Sequence, residues 1–177
     1  MMKKILVLIL TIHVTAGSMI FGNPSDHPMK VAKVAGRNHD LKNFLASIES
    51  IKRSFFKHSQ ESNQTIQGIC AYLRDQHHPN SKLKKVALQN IKKTQEDVDA
   101  FKNTAISFQN SNNAHVRRLS EEFITLHKHA TAMLEQQARF VSSPRKFSPS
   151  DADMLVKYSA MFGKQCEYID KLISEAS

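Results

Sequence analysis

The chain has 177 residues, a formal charge of +9 and a pI near 9.6. That length suffices for one domain around a single core. Five Gly, five Pro, no Trp and 7% aromatic residues give too little turn chemistry for an all-β sandwich and suit a helical protein.

Residues 1–16 read as a signal peptide rather than as part of the fold. Lys3 and Lys4 make a short positive start, and Ile5 to Leu10 is an unbroken apolar run that continues through Ile12 to Val14. Small or tolerated residues at Val14 and Ala16 then place a cut after Ala16. No Cys lies near that cut, so a lipoprotein anchor is not available. The other reading is a retained anchor, but Ile5 to Phe21 is interrupted by His13, Gly17 and Ser18, which is marginal for crossing a bilayer. No later segment is apolar enough to span one. Cleavage would remove two lysines and no acids, bringing +9 to +7. A basic exported protein is expected to meet acidic protein, anionic lipid or anionic polysaccharide, with no specific nucleic-acid partner. The short Lys-Lys leader points to a bacterial periplasmic or secreted location.

Residues 17–38 carry Gly and Pro without a sustained period and read as a flexible basic arm. Residues 39–177 then show four apolar stripes at alternating three- and four-residue steps, the seam of packed helices. The first predicted helix runs from a cap at Asn38 to about Gln76 through Leu41, Phe44, Ile48, Ile51 and Phe55. Its stripe weakens at His58, Ser62 and Thr65, then resumes at Ile69 and Tyr72. Gly68 argues against one unbroken helix. The second runs from about Lys82 to Phe108 through Ala87, Ile91, Thr94, Val98, Phe101 and Ala105. The third runs from about His115 to Val141 through Val116, Leu119, Phe123, Leu126, Ala130, Met133, Gln137 and Phe140. The fourth runs from about Pro149 to Glu175 through Ala152, Leu155, Ser159, Phe162, Cys166, Ile169 and Ile173. Short connections favour antiparallel neighbours and hence an all-α, up-down-up-down four-helix bundle.

The fourth helix follows the usual end chemistry: Ser148 as cap, Pro149 first, Asp151 and Asp153 in the opening turns. The second opposes it, crowding Lys82, Lys84 and Lys85 where the helix dipole favours carboxylates. The third likewise opens on His115, Arg117 and Arg118. In an up-down bundle, Arg74, His77, His78, Lys82, Lys84 and Lys85 share one end with Arg139, Arg145 and Lys146. These nine residues are the candidate surface for an anionic partner. The plainer reading is that exposed lysines keep a basic protein soluble.

Nine His are many for this length. His127 and His129 diverge at i and i+2, and no H-E-x-x-H, E-x-x-H or C-x-x-C spacing occurs. Counting from the shared end, His58, His127 and Cys166 fall at similar heights, about 15 to 18 residues in, with Glu96 and Asp97 alongside. Such a layer would suit a transition metal or a haem iron. The competing reading makes His58 a core His bonded to hydroxyl neighbours and Cys166 a small buried hydrophobe. Cys70 and Cys166 come out about 13 Å apart along the helices, too far for a disulfide unless a kink near Gly68 closes the gap. Asn63-Gln64-Thr65 matches a glycosylation sequon in mid-helix. No nucleophile elbow or phosphate loop is present, which leaves a hydrolase without recognisable motif as the weakest reading. A non-enzymatic binding or interaction protein is expected, with the metal- or haem-binding bundle as alternative.

Overall fold

The computed structural model describes residues 39–75 and 81–176. The signal peptide, the basic arm, His77 and His78 lie outside the described residues. Within them the chain is all-helical: α1 is His39–Arg74, α2 Ser81–Phe108, α3 Ala114–Ser142 and α4 Pro149–Glu175, with a 3-10 turn at Pro144–Lys146. No strand occurs among the described residues, and none of their helices is long and apolar enough to cross a membrane.

Each helix buries most of its predicted stripe. Phe44, Phe55, Phe101, Phe123 and Phe162 are the largest fully enclosed side chains. They link one helix to the next: Phe108 packs on Phe44, Phe44 on Phe123, Phe123 on Phe101, Phe101 on Phe55 and Phe55 on Phe162, at centroid distances of 5.3 to 6.1 Å. Rings at this spacing contribute about 0.5–1.5 kcal/mol per pair beyond the area they bury.

Consecutive helices pack along their lengths, and α1 also approaches α3 across the core. Among the described residues α1 and α4 make no close backbone approach; the rings of Phe55 and Phe162 fill the space between them. α1 and α4, the first and last helices of the bundle, therefore meet through side chains rather than by backbone approach.

Two local expectations change. Gly68 does not break α1, which is continuous from His39 to Arg74. Tyr72 leaves the stripe and stands 42% exposed, while Ile66, Ile69, Cys70 and Leu73 make the buried face there. The 3.6-residue period explains this: 66, 69, 70 and 73 share a face, and 72 falls well round from it.

The end chemistry of α4 is as its sequence suggests. Ser148 Oγ accepts from the Asp151 N–H, and the Asp151 carboxylate accepts from the Ser148 N–H at 2.9 Å. At the start of α3, Asn113 Oδ1 accepts from the backbone of His115 and Val116.

Candidate functional site

Contacts between helix ends place several of the predicted cations together. Lys84 Nζ donates to Ser142 O at 3.5 Å, so the first turn of α2 lies against the last turn of α3. Arg139 of α3 meets Asp151 of α4 at 3.0 Å. Gly68 of α1 faces Leu83 of α2, which carries Arg74 to the same end. These contacts bring together the helix ends that carry Lys82, Lys84, Lys85, Arg74, Arg139, Arg145 and Lys146.

The cations at this end are not equivalent. Arg139 is neutralised by Asp151, and Arg74 has Asp75 at 3.9 Å. Lys84 is partly buried over the carbonyl end of α3, where a helix carries partial negative charge. Its position opposes the dipole of its own helix and complements that of the next. Lys82, Lys85, Arg145 and Lys146 are exposed and form no ion pair among the described residues.

The early cations of α3 behave differently. Arg117 donates to Ser111 O at 2.7 Å, while Arg118 bonds Tyr168 Oη and lies over its ring, 5.7 Å from the centroid. Those two arginines have structural partners. Lys82 and Lys85 of α2 have none among the described residues.

A hollow of about 330 Å³ opens at the same end, lined by Ala138, Arg139, Ser142, Ser143, Lys146, Phe147 and Asp151. Asp151 stands in it as a firm anion, held below its usual range by hydrogen bonds from Ser148 and by Arg139. A carboxylate paired to the only arginine in the wall makes the hollow a poor pocket for one small anion. The exposed cations outside it form a surface rather than a socket.

The candidate metal layer does not assemble. Among the described residues no three His, Cys, Asp or Glu side chains converge as a metal site would require. His58 of α1 meets Asp97 at 2.6 Å, whereas His127 of α3 meets Asp99 at 2.9 Å. The two carboxylates are two residues apart on α2 and so point to different neighbours. Gln165 of α4 bonds Glu122, and α4 runs opposite to α3, so Cys166 lies level with about Glu121, nearly two turns from His127. Burial then raises the Cys166 thiol, and Asp170 and Glu167 raise it further, so it stays protonated and is no ready metal ligand. Cys70 is pushed up to about 12 by burial. Both cysteines are free and buried.

Ser54, His58 and Asp97 meet, but not as a nucleophilic triad. Ser54 Oγ donates to Asp97 Oδ1 at 2.7 Å and lies 3.4 Å from His58 Nδ1. His58 Nδ1 also faces the carboxylate, which only accepts. The hydroxyl is thus tied to the acid on the wrong side of the ring for the second nitrogen to remove its proton. This constellation joins α1 to α2.

One feature of the end was missed in the sequence. Tyr72, Val86, Leu88 and Met154 are exposed, and all sit near it. Their signal was present: Val86 and Leu88 flank buried Ala87 and lie off the α2 stripe. Compared with known proteins, the chain matches no family model, no curated protein and no solved structure.

Proposed function

We propose that the chain is an exported, non-enzymatic binding protein: a signal peptide, a basic arm and an up-down-up-down four-helix bundle whose basic end meets an anionic partner. The helix-end contacts Phe44–Phe108, Lys84–Ser142 and Arg139–Asp151 support that helix order. The observation carrying the function is the uneven use of charge. Arg74, Lys82, Lys84, Lys85, Arg139, Arg145 and Lys146 share one end with Asp75, Asp151, Asp153 and, a turn before Arg139, Glu135. The exposed lysines there have no described acid beside them, although they sit where their own helix disfavours them. Clustered cations of this kind raise the local concentration of anions and speed their encounter.

The test is binding of the full chain to dextran sulfate across a salt series. Expected is affinity that falls steeply as salt rises, and falls again in Lys82→Gln/Lys85→Gln at fixed salt. Equal affinity for the variant and the parent chain would refute the basic-end reading.

A further inference from the structure

We infer that the anionic partner is an acidic polysaccharide, one sugar ring of which seats in the hollow beside Arg139 and Asp151. This rests on the basic-end reading above and names its substrate class.

The connection between α3 and α4 builds the hollow. α3 stops at Ser142, two residues before Pro144, whose ring disfavours helical backbone in the residue ahead of it. Buried Phe147 then packs on Phe140 at 5.3 Å and holds the turn against the helix end. Arg139 and Asp151 pair at 3.0 Å in the wall. Phe147 and half-buried Ala138 make an apolar floor, while Ser142 and Ser143 stand exposed at the rim. At about 330 Å³ the hollow has the size of a small-molecule site.

Its polar groups are short of partners. Among the described residues the hydroxyls of Ser142 and Ser143 and the Lys146 ammonium join no hydrogen bond or ion pair. Asp151 receives three hydrogen bonds, from Arg139 and from Ser148 N and Oγ, of about four that a carboxylate takes. Donors and acceptors therefore stand together over an apolar floor, and Arg139 and Asp151 cancel each other's charge.

That mixture discriminates among polyanions. A polyphosphate has nothing to donate to Asp151 or to the serine oxygens. An extended acidic peptide turns successive N–H groups to opposite sides, so they do not converge on one hollow. A sugar ring carries neighbouring hydroxyls along one edge, each a donor and an acceptor, and C–H groups for the floor. Cations flank the hollow on both sides to take the charges of the adjoining units. Arg145 and Lys146 border it in the 3-10 turn. Past Ser142, whose carbonyl accepts from Lys84 Nζ, come Lys85 and, within a turn, Lys82.

The full chain is titrated with a polyuronate, a polyphosphate and polyglutamate of matched charge at one salt concentration. The polyuronate keeps its hydroxyls, which heavily sulfated dextran does not. Ser142→Ala/Ser143→Ala removes both hydroxyls, and Ser142→Trp fills the hollow. Both positions are exposed, and circular dichroism checks that each variant keeps its helices. The expected result is an affinity for polyuronate lowered about tenfold in either variant, as two lost hydrogen bonds imply, with the other two polymers unaffected. Lys82→Gln/Lys85→Gln should weaken all three. Unchanged polyuronate binding in the hollow variants would overturn the saccharide inference and leave the basic-end reading standing. An equal loss for polyglutamate or polyphosphate would seat a different polyanion in the hollow and also overturn it. Binding to none of the three polymers would overturn both readings.

Discussion

Asp97 and Asp99 share a helix turn and each accepts from a histidine, yet their surroundings give them different weight. Asp97 is 13% exposed and takes both Ser54 Oγ and His58 Nδ1; Asp99 is 52% exposed. Removing a shielded acceptor leaves its donors unpaired, whereas water replaces an exposed one. Asp97→Ala should therefore cost about 2–3 kcal/mol in urea unfolding, and Asp99→Ala less than about 1 kcal/mol. Similar costs for the two would show that α1 and α2 do not depend on the Ser54–His58–Asp97 contact. His129 adds a pH effect. Burial, then Lys128, holds its pKa below the ordinary 6.5, so the fold favours the neutral ring. The unfolded chain then binds the proton more readily. The stability from this group is complete above pH 6.5 and declines as pH falls below it. His129→Gln should flatten the fall in melting temperature just below that pH. An unchanged pH profile would reassign the acid sensitivity to other groups.

Helices were the most legible part of the sequence because a 3.6-residue stripe is a local signal that burial then selects. Ser148 and Pro149 marked the start of α4 for the same reason: cap chemistry is local. Three things were not local. Tyr72 sits beside stripe residues, and only the helix phase separates it from them. Phe147, within a connection, packs on Phe140 at 5.3 Å and anchors the 3-10 turn. Counting from the helix ends puts His58, His127 and Cys166 at similar heights. Phe55 packs on Phe162, however, which leaves His58 and Cys166 about 10 Å apart along the bundle. Height also says nothing about which neighbour a side chain faces. That is why a candidate metal layer resolves into two separate His–Asp contacts and a buried thiol. Gly68 is the element-scale opportunity. It lies inside a continuous helix, and a Cβ built there would meet Leu83 Cδ2 at 3.8 Å, an ordinary contact. Gly68→Ala should stabilise the chain by about 0.5–1 kcal/mol by removing backbone freedom from the unfolded state. Its melting temperature should rise by a few degrees; a fall would mean that α1 needs a bend there.

Across the whole molecule, stability and surface charge make opposite demands on the first turn of α2. Lys84 has a structural partner in the α3 carbonyl end; Lys82 and Lys85 have none among the described residues. A carboxylate at either of those two positions would suit the dipole of α2 better, by about 0.3–1 kcal/mol each at low salt. Lys82→Glu/Lys85→Glu should therefore unfold at a higher temperature than the parent chain while losing its hold on anionic surfaces. The gain in stability should shrink as salt is added, because screening weakens the dipole interaction. Scanning calorimetry at low and high salt, beside the dextran sulfate measurement, separates the two effects. A variant that binds less and melts higher would identify these lysines as kept for contact at a cost to the fold. A variant that melts lower would identify them as part of the fold itself, and the basic end would lose its strongest argument for function.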